Sequence, residues 1–220
     1  MIRIAIDGPG GAGKSTIARR VAAALQINYI DTGAMYRAVG YQAVRKGVDP
    51  GDEAAMEKMM ADTDIDFRNG SIYLDGHVVD REIRTPEISA MASRVSALAP
   101  VRRRLVALQR EMGRKGSAIM DGRDIGNNVL HDAEYKFYLT ASPEERARRR
   151  CKELREKGQQ VSCDEVLRDI NRRDHNDMTR ALDPLVKADD AIEVDTTGMS
   201  IEEVVDTILK EVNNGSRQTV

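Results

Sequence analysis

The chain contains no tryptophan, few aromatic residues and no strong excess of charge of either sign. An aromatic content of 4% argues against a protein that binds single strands by stacking their bases. The 34 lysines and arginines are balanced by 36 aspartates and glutamates, which argues against a generic DNA-binding protein. No apolar run approaches the roughly 20 residues that a membrane-spanning helix needs.

Cysteine is also scarce, because Cys151 and Cys163 are the only two in the chain. Two cysteines are too few for a disulfide framework or a zinc site, so reduced thiols and a cytoplasmic location are expected. The amino terminus enters a strand-like run at Arg3 and lacks the architecture of a signal peptide. With 220 residues, 41% of them apolar, the chain is long enough to bury a substantial core. We therefore expect a soluble globular protein, and we expect a monomer.

Short apolar runs alternate with helical patterns along most of the chain, which is typical of a parallel sheet covered by helices. The predicted core strands are residues 3–6, 28–30, 118–120, 136–139 and 191–194. Residues 64–79 break this rhythm, because Asn69-Gly70 and Asp75-Gly76 are hairpin turns between alternating apolar positions. The sequence therefore predicts an α/β fold: a five-stranded parallel sheet flanked by helices, with an inserted three-stranded antiparallel sheet.

Capping boxes at Ser142, Ser162 and Ser200 predict three helix starts.

The predicted boundaries divide one domain into a core, an insertion and a lid. The core comprises residues 1–38, 115–150 and 166–220, the insertion about 39–114, and the lid about 151–165. A polar tail, 213–220, is expected to fray.

Residues 8–15 match the phosphate-loop pattern G-x-x-x-x-G-K-[ST] at every fixed position. The segment reads Gly8-Pro9-Gly10-Gly11-Ala12-Gly13-Lys14-Ser15 and lies between a predicted strand and a predicted helix. Glycines allow successive backbone N–H groups to turn inward around an anion at the helix start. Lys14 is expected to reach the β- and γ-phosphates of ATP, Ser15 to bind Mg²⁺, and the following Thr16 to belong to the same ATP site.

Asp121 follows the apolar run 117–120, at the end of a predicted strand. A carboxylate at the carboxyl end of a parallel strand is well placed to hold Mg²⁺ through a water. The alternative is that Asp121 begins the turn at Gly122 and caps the next segment, and the two roles are compatible.

Phosphotransferases and NTPase switches share this kind of loop. A GTPase switch needs N-K-x-D to read its base, and residues 171–174 have arginine in place of lysine and lie within a helical run. The kinase interpretation accounts better for a local concentration of arginines. These are Arg146, Arg148, Arg149, Arg150, Arg172, Arg173 and Arg180. Guanidinium groups bind phosphate oxygens in pairs, and phosphoryl transfer needs positive charge and exclusion of water. Glutamates at helical spacing can pair with some of the four on the first helix, so about two of those are expected to act on substrate.

Several segments together resemble the bacterial cytidylate (CMP) kinases of the nucleoside monophosphate kinase group. The matching segments are Ile6–Ser15, Asp31–Arg37, Glu82–Thr85, Asp121–Gly126, Glu145–Arg150 and Asn171–Asp174. The resemblance implies transfer of the γ-phosphoryl of Mg·ATP to CMP or dCMP. It implies Lys14, Arg123 and Arg180 as catalytic residues, with Arg148 and Arg150 binding ATP.

The resemblance also implies which residues bind the acceptor nucleotide. Ser93, Arg102 and Asp124 match the positions that read cytosine, and a carboxylate or hydroxyl beside an arginine suits its amine donor and its ring-nitrogen and carbonyl acceptors. Arg37 and Arg123 would bind the α-phosphate. The residues along the sugar and phosphate would be Thr32, Arg173, Asp177 and Arg180.

The expected partners are small nucleotides, ATP and CMP or dCMP, without nucleic acid or membrane. Thr32 stands where members of the group often have serine, and its added methyl bears on the choice between ribose and deoxyribose. The alternatives are a kinase for another nucleoside monophosphate, such as UMP or GMP, or for another small molecule; a switch NTPase is a distant third.

Overall fold

A computed structural model describes residues 1–156 and 158–217. The chain divides into two compact units. The core unit comprises Met1–Tyr29, Ser117–Thr179 and the chain from Pro184 onward. The insert unit comprises Ile30–Gly116 together with the short segment Arg180–Asp183. The predicted insertion, 39–114, lies within the residues of the insert unit.

Eight strands and eight α-helices are present in the described part of the chain. The strands are β1 (Arg3–Asp7), β2 (Asn28–Asp31), β3 (Ile65–Arg68), β4 (Ser71–Leu74), β5 (His77–Val78), β6 (Ala118–Asp121), β7 (Tyr135–Thr140) and β8 (Ile192–Asp195). The helices are α1 (Lys14–Leu25), α2 (Thr32–Lys46), α3 (Glu53–Ala61), α4 (Pro86–Val95), α5 (Ala99–Arg114), α6 (Pro143–Glu156), α7 (Cys163–Thr179) and α8 (Ile201–Arg217).

The larger sheet has five strands in the order β2-β6-β1-β7-β8. Strand β1 pairs in parallel with β6 and β7, and Ile6 lies opposite both Asp121 and Phe137. Carboxyl ends of parallel strands meet at one edge of a sheet, so Asp7 and Asp121 end their strands at the edge where the phosphate loop begins. The five predicted strands are confirmed, each within two residues of its predicted bounds.

Helices cover this sheet because its strands are apolar on both faces. Ile4, Ile6 and Phe137 are at most 1% exposed and pack with the apolar stripes of α1 and α8. Those stripes include Ile17, Val21, Ile208 and Val212. Helix α8 begins with a complete capping box, in which Ser200 and Glu203 each accept from the other's backbone N–H. The tail predicted to fray from residue 213 is helical as far as Arg217, and residues 218–220 lie outside the described part.

The insert unit carries the predicted three-stranded antiparallel sheet, in the order β3-β4-β5. Asn69 and Gly70 have φ of 52° and 77°, and Asp75 and Gly76 have φ of 49° and 79°. Positive φ at both central residues defines the type I′ turn that suits a two-residue hairpin, so both turn predictions are confirmed. Three methionines that lie at helical spacing on α3 are buried: Met56, Met59 and Met60.

Cys151, near the end of α6, and Cys163, the first residue of α7, are joined by a disulfide. Their Cα atoms are 5.7 Å apart, within the range that a disulfide spans. The expectation of reduced thiols is therefore wrong for this structure. Two cysteines do not make a framework, but the turn between two consecutive helices can still bring them together. The bond encloses most of the predicted lid, 151–165; Lys157 of that segment lies outside the described residues.

The Cys163→Ser variant is expected to unfold more easily than the wild type in the absence of reductant. Closing a loop of this length stabilises a folded chain by about 3 kcal/mol, chiefly by restricting the unfolded state. Urea denaturation should therefore show a lower midpoint for the variant. In dithiothreitol the two proteins should unfold alike, and equal midpoints without reductant would contradict a disulfide in the purified protein.

No helix in residues 1–156 and 158–217 is long and apolar enough to cross a membrane.

Candidate active site

The phosphate loop connects β1 to α1 through glycines at positive φ, Gly8, Gly11 and Gly13, where an L side chain would be strained. At Gly8, φ is 144°, and a Cβ would lie 2.0 Å from the backbone oxygen of Leu139. Gly13 caps α1 with φ of 88° and provides no side-chain acceptor for the first turn. The amino-terminal N–H groups of α1 are therefore not capped by the side chain of the preceding residue, as an anion-binding helix start requires.

Lys14 is the first residue of α1 and is 6% exposed. Its Nζ donates to the carbonyl oxygens of Gly8 and Pro9, each at 2.7 Å. Burial lowers the pKa of Lys14, and the nearby guanidinium of Arg123 lowers it further. A negatively charged ligand in the loop would offset both effects, because it favours the charged amine.

Ser15 and Asp121 meet beside the loop. The Ser15 hydroxyl donates to Asp121 Oδ2 at 2.8 Å, and the Tyr29 hydroxyl donates to Asp121 Oδ1 at 2.8 Å. A hydroxyl and a carboxylate are the oxygen ligands that Mg²⁺ accepts, directly or through water. Within residues 1–156 and 158–217, no group of three or more His, Cys, Asp or Glu side chains forms a metal cage. This donor set therefore fits a cation that takes its remaining ligands from phosphates and water.

Asp7 is a buried carboxylate at the end of β1 that the sequence did not single out. It is 5% exposed and accepts from the backbone N–H groups of Ile125 at 2.9 Å and Gly126 at 2.7 Å. Burial raises the pKa of Asp7 to about 6, although the two backbone donors lower it. The side chain thereby ties the segment that follows Asp124 to the strand that precedes the loop.

The free energy of unfolding should depend on pH through Asp7. Because the pKa of this acid rises from 3.8 to about 6 on folding, the folded chain binds more protons than the unfolded chain between those values. Its contribution is fully present below the unfolded pKa and is lost as the pH rises through the folded pKa. Relative to Asp7→Asn, the wild type should therefore gain about 2 kcal/mol between pH 7 and pH 4.5 in urea titrations. A difference between the two proteins that stays constant with pH would contradict this.

Arg146 is the arginine of α6 that contacts the phosphate loop. It is 4% exposed, and its Nη1 donates to the Gly10 carbonyl at 2.9 Å and to Asp174 Oδ2 at 2.5 Å. Asp174, on α7, also accepts from the Gly10 backbone N–H at 3.3 Å. The two side chains together hold the middle of the loop from one side.

Arg148 and Arg150, which the resemblance assigns to ATP, bind neighbouring glutamates of α6. Arg148 is 68% exposed and forms a two-point ion pair with Glu145, and Arg150 pairs with Glu153 at 2.6 Å. Their assignment to ATP stays a prediction.

Arg123 lies near the loop, since its Nη2 would be 3.7 Å from a Cβ placed on Gly10. Its Nε donates to Asp177 Oδ2 at 2.7 Å. Burial lowers the pKa of Arg123, but the carboxylates of Asp177, Asp174 and Asp121 together outweigh burial and raise it above its ordinary value. Burial and the charge of Arg123 lower the pKa of Arg173. The nearby carboxylates of Asp169 and Asp177 therefore do not fully compensate Arg173 for its burial and for the positive charge of Arg123.

Asp124 follows Arg123 and is 4% exposed. Its Oδ2 accepts from the Asn128 side-chain amide at 3.2 Å. The loop hydroxyl of Ser15 is thus hydrogen-bonded to Asp121, whereas the Asp124 carboxylate is hydrogen-bonded to Asn128.

In the insert unit, Arg37 of α2 is oriented by Asp31, the residue that caps the same helix. Asp31 caps α2 by accepting from the Ala34 backbone N–H at 2.7 Å, and Arg37 Nη2 donates to both Asp31 carboxylate oxygens at 3.3 Å. Thr32, the first residue of α2, is 2% exposed. The Nε of Arg37 is buried and has no hydrogen-bond partner among the described residues.

The Arg102 side chain and the Ser93 hydroxyl oxygen are buried polar groups of the insert unit. Arg102, on α5, is 3% exposed, donates from Nε to Asp183 Oδ2 at 2.8 Å and lies over the Tyr36 ring. Ser93 Oγ, on α4, is buried, and no described residue offers it a hydrogen bond. An unsatisfied buried hydroxyl is costly unless a ligand completes it.

The predicted site residues fall on both units. The structure brings together Lys14, Ser15 and Asp121 in the core unit, and it joins Arg123 to Asp177 there. In addition to Lys14, the core unit holds Arg123, Asp124, Arg173 and Asp177, and the insert unit holds Thr32, Arg37, Ser93, Arg102 and Arg180. Sequence reasoning did not single out Asp7; it named Arg146 only among the arginines of one helix and Asp174 only within a matching segment, and it assigned neither of them to the loop. For Arg146 the sequence carries no signal of that role: Arg146 and Arg148 flank Ala147 of the buried stripe on either side at equal helical spacing, and only the structure shows that Arg146 is the buried one.

The family model described as Cytidylate kinase matches residues 4–214. The cytidylate kinase of Clostridioides difficile (strain 630) is 53% identical over 210 residues, which cover 96% of this chain and 97% of that protein. The cytidylate kinase of Desulfitobacterium hafniense (strain Y51) is 49% identical over 216 residues, covering 97% and 93%.

Among solved structures, a gluconokinase from Sinorhizobium meliloti 1021 superposes with a TM-score of 0.51 at 12% sequence identity. The match covers 100% of this chain and 98% of that one. At this identity it supports the fold alone.

Proposed function

The chain belongs to the cytidylate kinase family, and we propose that it transfers the γ-phosphoryl of Mg·ATP to CMP or dCMP, giving ADP and CDP or dCDP. The observation that carries the proposal is the phosphate loop, with Lys14 buried at its end and Ser15 hydrogen-bonded to Asp121. Kinases of this family use ATP with a divalent metal. A turn between strand and helix requires neither a buried amine nor a hydroxyl held by a carboxylate.

We propose Mg²⁺ as that metal, held by Ser15 and, through water, by Asp121. When bound, it would neutralise charge on the phosphates. Asp121 is favoured over Asp124 because only the former is hydrogen-bonded to the loop hydroxyl. Tyr29 keeps the Asp121 carboxylate oriented through its second oxygen.

The donor nucleotide is proposed to lie on the loop backbone, with Lys14 on its terminal phosphates and Thr16 following on α1. Arg146 and Asp174 support the loop through Gly10, so they act on the donor by positioning the backbone. Arg148 and Arg150 are proposed to turn from their glutamate partners to ATP. An exposed ion pair contributes little to stability, so exchanging glutamate for phosphate costs little.

The acceptor is proposed to bind residues of each unit. In the insert unit, Ser93 and Arg102 would read cytosine, with Arg37, Thr32 and Arg180 along its phosphate and sugar. In the core unit, Asp124 would complete base reading, and Arg123, Arg173 and Asp177 would contact phosphate and ribose. The buried, incompletely bonded Ser93 Oγ and Arg37 Nε support these roles, because a ligand would satisfy them.

Catalysis is proposed to need no side-chain nucleophile or strong base. The acceptor phosphate, with a second pKa near 6, is already largely ionised at pH 7. The residues then position the two substrates and offset the charge that spreads over the transferred group, with Lys14, Arg123 and Arg180 closest to it. The insertion (39–114) and the lid (151–165) are proposed as moving parts, because an open site would transfer the phosphoryl group to water.

A panel of acceptors tests this function directly. ATP with Mg²⁺ should phosphorylate CMP and dCMP in a coupled spectrophotometric assay, and UMP, GMP and AMP much less well. Faster turnover of another monophosphate would favour the alternative kinase. Tight binding of GTP with slow hydrolysis and no acceptor would favour a switch protein.

The protein is further proposed to act as a monomer in the cytoplasm, where reducing conditions would convert the Cys151–Cys163 pair to thiols. Sedimentation of the purified protein tests whether it is a monomer.

A further inference from the structure

Asp183 holds two arginines of the insert unit with different parts of one residue. Its carboxylate Oδ2 accepts from Arg102 Nε at 2.8 Å. Its backbone carbonyl accepts from Arg180 Nε at 2.8 Å and from a second nitrogen of the same guanidinium. Arg102 and Arg180 are 78 positions apart in the sequence, so this residue connects two distant segments.

The backbone of Asp183 is in the left-handed region, with φ of 46°. Among the described residues, three other non-glycine positions share this region: Gln26 ends α1, and Asn69 and Asp75 form hairpin turns. Asp183 belongs to neither kind of structure. A left-handed conformation is unfavourable for an L-residue, so surrounding contacts must favour it.

The carboxylate of Asp183 fixes the plane of a buried guanidinium. The Arg102 side chain is 3% exposed, whereas that of Asp183 is 36% exposed. Arg102 Nη1 donates to the Ser96 carbonyl at 3.2 Å. These two hydrogen bonds, from different nitrogens, fix the orientation of the planar Arg102 guanidinium. A guanidinium that reads a base must have the correct orientation.

We propose that Asp183 is a positioning residue that sets the base-reading Arg102 and the phosphate-binding Arg180 in one arrangement, so that recognition of the base is coupled to binding of the phosphate. This inference rests on the proposed function, because it takes the acceptor roles of both arginines from there. Removing the carboxylate takes away the bond to Arg102 Nε and leaves the guanidinium less firmly oriented by its bond to Ser96, while the backbone bond to Arg180 remains. The loss should therefore fall on acceptor recognition.

The test compares Asp183→Gly, which permits the left-handed backbone without a carboxylate, and Asp183→Asn, which permits it and keeps one acceptor oxygen. Asp183→Gly should raise the KM for CMP about tenfold, narrow the preference for CMP over UMP and leave the KM for ATP unchanged. Asp183→Asn should restore part of the loss. In an Arg102→Ala background, Asp183→Gly should add little, because the side chain it positions is gone.

Asp75→Gly is the matched control. Asp75 lies in the same unit, has φ of 49°, is 32% exposed and pairs with Arg45 at 3.2 Å. This variant should leave the KM for CMP unchanged.

Several results would overturn the inference. They are an unchanged KM for CMP in Asp183→Gly, an equal rise for CMP and ATP, or full additivity with Arg102→Ala. If the glycine variant does not fold, an Asp183→Asn variant with normal CMP kinetics overturns it as well. A wild-type enzyme that does not phosphorylate CMP would instead overturn the proposed function.

Discussion

Replacing Lys14 with alanine is expected to lower kcat on the order of 10³-fold and to leave the fold intact. Lys14 Nζ is buried and bonded to the carbonyls of Gly8 and Pro9, so it is held at the end of the loop. In the transition state it would offset charge on the departing phosphates. Its amine is already desolvated, which makes that interaction stronger than it would be in water.

Steady-state kinetics with saturating CMP measures this effect, and circular dichroism checks the fold. Lys136→Ala is the control, because Lys136 is also a lysine of the core unit that donates to a carbonyl oxygen, that of His131 at 2.7 Å, and it pairs with Asp190 at 2.8 Å. It has no proposed role at the site and should retain activity. Full activity in Lys14→Ala would remove the loop lysine from the mechanism.

The features that sequence reasoning predicted well are local ones. The phosphate loop is eight consecutive residues whose glycines, lysine and serine each have a backbone or charge requirement. The two hairpin turns follow from Asn69-Gly70 and Asp75-Gly76, whose left-handed conformations the structure confirms. The apolar strands follow from burial on both faces of a parallel sheet.

The features that could not be predicted depend on contacts between distant segments. Arg146 reaches Gly10 across 136 positions, and Arg102 meets Asp183 across 81. The sequence contains many arginines and carboxylates, and which of them pair depends on how distant segments pack. A short stretch of sequence does not contain that information. The Cys151–Cys163 disulfide was missed for a different reason. Counting cysteines bears on a disulfide framework, but a single bond depends on the turn between two helices.

The Arg102→Ala and Asp124→Ala variants are each expected to reduce kcat/KM for CMP on the order of 10²-fold. Both residues are buried, at 3% and 4% exposure, so water cannot fully replace the hydrogen bonds that either side chain would make to the base. Cytosine offers an amine donor next to acceptors, and uracil reverses that pattern. The preference for CMP over UMP should therefore shrink in both variants, because the discriminating hydrogen bonds are gone.

The split between substrates distinguishes base reading from a general loss of structure. The KM for ATP should change little in either variant, since neither side chain belongs to the phosphate loop. Arg103→Ala is the matched control for Arg102: it lies next on α5, is 65% exposed and pairs with Glu57 at 3.2 Å, so its loss should leave CMP kinetics unchanged. An equal rise in KM for both nucleotides would contradict base reading. A retained preference for CMP over UMP in both variants would assign cytosine recognition to other residues, first of all to Ser93, whose buried hydroxyl has no hydrogen-bond partner within the described chain.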